Sequence, residues 1–146
     1  MSILRTDDQA DSIEILKLVI ETRDYYREIT SVLEDGELAS KLDTIANERA
    51  SFIEPFENVV KDLGELPVKP DPDKELLHKI GGELTQFFSA NSKNAILDKC
   101  LQEDEELATV VKRTELGEKS AKYQKLLDTL AENLRETQKS IQALKN

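Results

Sequence analysis

Asp104 is the residue whose surroundings could do chemistry. It stands at the centre of the series Leu97, Cys100, Asp104, Leu107, Val111 and Thr114, in which every step is three or four residues. That spacing places all six on one stripe of a helix turned toward a core. A carboxylate in such a position requires a partner, because an unpaired charge away from water is strongly penalised. A basic counterpart exists on a second stripe, Leu38, Leu42, Ile45, Arg49, Phe52, Phe56, Val59 and Leu63, where Arg49 is the one charged residue. Mutual neutralisation of Arg49 and Asp104 in the core is therefore the leading reading of both positions.

Other reactive side chains carry weaker signals. The single cysteine, Cys100, excludes an internal disulfide and reads as a small core side chain. His78, the only histidine, falls about 160° around its helix from Ile80, outside the apolar stripe, at the rotation of a regular helix. Ser51 and Ser89 have no base that the sequence places beside them. Gly81-Gly82 lies inside a helical pattern and not after a strand, unlike a phosphate-binding loop. Tyr25 and Tyr26 are adjacent on one helix, so one is expected to pack inside and the other to lie at the rim.

The elements that must hold these residues are all helical. The chain has 146 residues, 38% hydrophobic and 34% charged, with no Trp, five Gly and four Pro, a profile that fits one soluble all-α domain spanning residues 1–146. A net charge of -10, mixed with bases along the chain, reads as solvated helix faces and argues against nucleic-acid or anionic-membrane partners. The first residues lack a basic start followed by an apolar core, and no uncharged apolar run approaches the roughly 20 residues of a membrane span. The expected location is the cytoplasm.

In order, the pattern predicts helix A over about 8–33, with the stripe Ile15, Leu18, Thr22, Tyr25, Ile29 and Val32 behind N-cap candidates Thr6, Asp7 and Asp8. A turn at Glu34, Asp35 and Gly36 leads to helix B over about 37–63. Pro55 lies within that pattern and should bend the helix between Ser51 and Pro55, because it removes a donor and meets the Ser51 carbonyl. Gly64 ends helix B. Pro67, Pro70, Asp71 and Pro72 then form an extended linker into a crossover helix over about 72–89. Ser92 caps helix C, over about 92–116, Gly117 breaks it, and helix D follows over about 118–145 with Tyr123, Leu127, Leu130, Leu134, Thr137, Ile141 and Leu144 inward.

Helices A and B are joined tightly, as are C and D, whereas B and C are separated by a segment long enough to traverse the molecule. This predicts parallel B and C helices and the one-crossover topology of ferritin-like four-helix bundles. Counted from Asp35 and Ser92, Arg49 and Asp104 lie at depths that differ by about 3 Å, at 1.5 Å per residue. The same count puts Glu21 or Thr22 on helix A, Glu48 beside Arg49 on helix B, and Leu134 with Thr137 on helix D in one midplane polar layer.

With Ile20-Glu21-Thr22, Asn47-Glu48-Arg49-Ala50-Ser51-Phe52, His78 and Ile96-Leu97-Asp98-Lys99-Cys100 continuing to Asp104, most of the chain resembles a bacterial ferritin-like four-helix-bundle family catalogued as a domain of unknown function. Its distant relatives, rubrerythrins and ferritins, imply a di-metal site with one Glu on each of two helices and a Glu-x-x-His pair on each of the others. No Glu-x-x-His occurs in this sequence. Ser51 stands three residues after Glu48, and helix D offers Leu134 and Thr137 inward while Glu132 faces away. Only Glu21, Glu48 and Asp104 remain as metal ligands, an oxygen-only set that favours Mg²⁺, Ca²⁺ or Mn²⁺ over a redox di-iron pair. The expected function is a non-enzymatic, stress-related helical module without a cofactor, with a homodimer or another protein as partner. The alternative is a ferritin-like oxidoreductase or metal-storage protein holding a divalent metal, Fe or Mn, at the reduced carboxylate site.

Overall fold

The computed structural model describes residues 7–33, 36–66, 93–114 and 121–145. Among these residues there are five α-helices and no strands: α1 (Asp7–Val32), α2 (Gly36–Ala50), α3 (Ile53–Asp62), α4 (Lys93–Arg113) and α5 (Ala121–Leu144). The crossover helix with His78, Gly81, Gly82 and Ser89, the turn at Glu34 and Asp35, the caps Thr6 and Ser92, and Gly117 lie outside the described residues.

Helix B is two helices. The Ser51 N–H is shared between the carbonyls of Asn47 and Glu48, and the Phe52 N–H reaches back only three residues to Arg49. The ladder resumes when the Phe56 N–H bonds the Phe52 carbonyl. This break moves Pro55 into the first turn of α3, where N–H groups have no intrahelical acceptor and a proline costs nothing in hydrogen bonds. The end of α3 is a Schellman cap. Gly64 sits at φ 88°, with its N–H on the Lys61 carbonyl and the Glu65 N–H on that of Val60. At the end of α4, Thr114 bonds the Val110 carbonyl through its hydroxyl.

Contacts between helix ends give their directions. Gln9 at the start of α1 donates to the Leu63 carbonyl just past α3, and Asp11 pairs with Arg113 at the end of α4, so α1 runs against both. Lys145 reaches Asp98, and Tyr123 donates to Asp62, so α5 runs against α4 and α3. It follows that α2–α3 and α4 point the same way. Helix α1 packs on α2, α3 and α4, while α5 packs on α4 and α2.

Among the described residues the interior holds two apolar clusters. One gathers Ile15, Leu16, Val19, Phe56, Val60, Leu107 and Leu130, and the other Tyr26, Ile29, Leu42, Ile96, Leu97 and Ile141. Thr22, Arg49, Asp104 and Thr137 are buried at the positions in each helix where one cluster gives way to the other. A polar layer thus divides the core at mid-height.

Helix α1 departs from the expected single stripe. Residues 22 to 26 are buried without interruption, which covers every face of that turn and a little more. Tyr25 and Tyr26 are therefore both inside, at 4% and 0% exposure, and neither lies at the rim. The expectation of one rim tyrosine assumed a helix covered on one side only, whereas α1 has neighbours on several. The same turn buries the adjacent Arg23 and Asp24, joined by an ion pair of 2.8 Å.

Candidate functional site

The midplane site begins with Arg49, the largest fully buried side chain of the described residues. Its position on the apolar stripe of α2, just before the helix break, sends the guanidinium toward the axis between α2 and α4. There Nη1 donates to Oδ1 of Asp104 at 2.8 Å and Nη2 donates to Oδ2 at 3.2 Å, a two-pronged contact. Nη1 also donates to the Thr22 hydroxyl at 2.8 Å, and that hydroxyl donates to the Val19 carbonyl at 3.1 Å.

Tyr26 completes the group. Its phenol donates to Oδ2 of Asp104 at 2.7 Å, and the guanidinium carbon lies 5.9 Å from the centre of the ring, at the outer limit of a cation–π contact. Asp104 thus accepts three hydrogen bonds from two helices, while its own side chain remains 9% exposed. Thr22 and Tyr26 are one turn apart on α1, so they lie on the same face, one above the other, and reach the Arg49/Asp104 pair from two levels. Burial and the charge of Asp104 hold the Tyr26 phenol proton well above the ordinary range. Burial alone would draw the Arg49 pKa down, but the charge and hydrogen bonds of Asp104 more than offset it and raise the value. Cys100, one turn before Asp104, is fully buried, and burial followed by the charges of Asp104 and Glu103 pushes its thiol well up. The thiol is accordingly a poor nucleophile.

Glu21 and Glu48 reach the height of this layer without entering it. Glu21 is half-exposed, 4.0 Å from Lys17, and its pKa is raised chiefly by partial burial, against Lys17 and with Glu106, Glu14 and Glu103 adding to the rise. Glu48 is exposed and accepts a hydrogen bond from Asn133 of α5 at 3.1 Å. The midplane layer expected from counting therefore narrows to Thr22, Arg49, Asp104 and Thr137. Successive residues on a helix are 100° apart, so only one of each pair 21/22 and 48/49 faces the axis. Among the described residues, no three of His, Cys, Asp and Glu come together as a metal site. The three expected ligands Glu21, Glu48 and Asp104 are divided among two outer flanks and the axis.

Sequence reasoning placed Arg49 and Asp104 at one height but missed Tyr26 as a donor to that pair. The signal was present, since Thr22 and Tyr26 are a polar pair four residues apart on an otherwise apolar face. Three buried atoms of this region, Nε of Arg49, Oγ1 of Thr137 and Oδ1 of Asn133, have no hydrogen-bond partner among the described residues. No described helix is long and apolar enough to cross a membrane. Compared with known proteins, the chain matches no family model, no curated protein and no solved structure.

Proposed function

We propose that the chain is a ferritin-like four-helix bundle, with the B-to-C crossover that this topology requires, whose di-metal layer has given way to the Arg49/Asp104 pair. On this reading it is a non-enzymatic module, acting through its surfaces on a protein partner or a second copy. The shared direction of α2–α3 and α4 supports the topology, since two helices consecutive in that core and parallel need a connection as long as the bundle.

One observation carries the functional half of the reading: both oxygens of Asp104 are already committed, to a guanidinium and to a phenol. A divalent cation at the axis would meet the buried positive charge of Arg49 and would have to displace three hydrogen bonds. The carboxylates that could assist, Glu21 and Glu48, are turned to outer flanks. The competing reading, a metal-dependent oxidoreductase or storage protein with Fe or Mn at Glu21, Glu48 and Asp104, needs all three to converge. Elemental analysis after incubation of the purified chain with Fe²⁺ and with Mn²⁺, followed by desalting, separates the two. The expected result is far less than one metal per chain. One or two tightly held ions per chain overturns the proposal.

A further inference from the structure

Between α4 and α5 lies an open groove of about 810 Å³. Its floor is partly apolar, with Leu101, Ala108 and Ala131 half-covered and packed against the core beside one edge of Asp104, whose charge is already met by Arg49. Two alanines at the centre keep the helices from filling the concavity. The rim carries Glu105 and Lys112 on α4, and Asp128 and Arg135 on α5. All four are exposed.

The charges follow a pattern. On each helix an acid precedes a base by seven residues, or two turns and about 10 Å along the axis. Because α4 and α5 are antiparallel, the order is acid then base down one wall of the groove and base then acid down the other. Counting from the contact of Asp98 with Lys145 at 1.5 Å per residue, Glu105 lies about 10 Å along and Arg135 about 15 Å, while Lys112 lies about 21 Å along and Asp128 about 26 Å. A two-fold axis parallel to the helices sets α4 of one copy over α5 of the other, with acid opposite base at both levels to within one helical turn. An axis across the helices sets α4 over α4 and α5 over α5, and again each acid meets a base. The face is self-complementary, which is the condition for an isologous interface.

Its net charge points the same way. The chain carries ten more acids than bases, so two copies repel over most of their surfaces. The exposed rim of this face carries two acids, Glu105 and Asp128, and two bases, Lys112 and Arg135, and balances, since the Asp104 carboxylate beneath it is paired with Arg49. Lys112 and Glu105 have no ion-pair partner within the chain among the described residues, whereas Arg135 is drawn to Glu132 on its own helix. From the half-covered apolar side chains of the floor, the neutrality of the rim and its antisymmetric charges we infer that the α4–α5 face binds a second copy of this chain, forming a two-fold dimer. The inference deepens the proposed role as an association module. It stands apart from the metal reading, since dimerisation and metal content are measured separately.

Sedimentation velocity of the full chain over a concentration series, at low and at high salt, tests it. The expected result is a dimer of twice the chain mass whose dissociation constant rises with salt. Glu105→Lys combined with Asp128→Lys leaves four positive charges on the face and should convert the dimer to monomer, with helical circular dichroism unchanged because both positions are exposed. The same change reduces the net negative charge from -10 to -6, since each acid-to-lysine exchange adds two. General repulsion would therefore predict stronger association, the opposite outcome. Glu37→Lys with Asp43→Lys, two exposed acids of α2, makes the same overall change away from the face and should leave the dimer intact. A monomer at every concentration, or a dimer indifferent to the Glu105/Asp128 exchange, overturns the inference.

Discussion

Removing the carboxylate of Asp104 strands a guanidinium and a phenol in the core. Asp104→Ala deletes three hydrogen bonds, two from Arg49 and one from Tyr26, and leaves the positive charge of a fully buried side chain without its counter-ion. Breaking a buried pair from one side costs about 3–5 kcal/mol. Arg49→Met should cost a similar amount, because Asp104 then keeps only the phenol. The double variant Arg49→Met with Asp104→Leu removes both desolvation penalties and fills the space with apolar atoms, leaving one new defect, the Tyr26 hydroxyl without its acceptor, worth about 1–3 kcal/mol. Adding Tyr26→Phe removes that defect as well. The double variant should thus lose several kcal/mol less than the sum of the two single variants, and the triple variant should be more stable than the double. Urea unfolding followed by circular dichroism reads the series. With a slope of about 2 kcal/mol per M, a 4 kcal/mol loss moves the midpoint by about 2 M. A domain of this kind has about 5–15 kcal/mol in all, so the series is best run with sucrose present to keep the weakest variants folded. Glu132→Ala, an exposed acid of α5, serves as the reference and should shift stability by less than about 1 kcal/mol. Additive losses in the double variant, or an Asp104→Ala chain as stable as Glu132→Ala, would refute the reasoning.

The same site sets an alkaline limit. Tyr26 and Cys100 both hold their protons above their ordinary values of 10.0 and 9.0, so each contributes stability that is complete below those values and falls as the pH rises past them. The unfolding free energy from urea titrations should be level to about pH 9 and then decline by about 1.4 kcal/mol per pH unit for each group engaged. Tyr26→Phe combined with Cys100→Ala should flatten that decline, and an unchanged slope would place its origin elsewhere. At the helix break, Pro55→Ala should alter stability by less than about 1 kcal/mol, since the third position of α3 needs no donor. Ala46→Pro, in the buried interior of α2, should cost about 3 kcal/mol or more, and equal midpoints for the two variants would contradict the two-helix description.

The sequence by itself determined the helices and the height of the buried pair. Repeats of three and four residues are a property of local chain geometry, and a helix rises by a fixed amount per residue, so Arg49 and Asp104 can be brought to one level without knowing how the helices pack. Pro55 likewise marked a bend from local sterics alone, although only the coordinates show that the break falls at Ser51 and Phe52 and thereby makes the proline harmless. What surrounds the pair was decided by tertiary structure. The four-residue spacing of Thr22 and Tyr26 put a second polar group on the inner face of α1, but that Tyr26 donates to Asp104 depends on how α1 is rotated against α4, which the spacing does not record. The burial of both tyrosines depends on α1 having neighbours on several sides, which no single stripe records. Glu21 and Glu48 fell out of the layer for the same reason. A count along the axis fixes height, whereas the rotation of each helix about its own axis, set by packing with its neighbours, fixes which of two adjacent side chains meets the core.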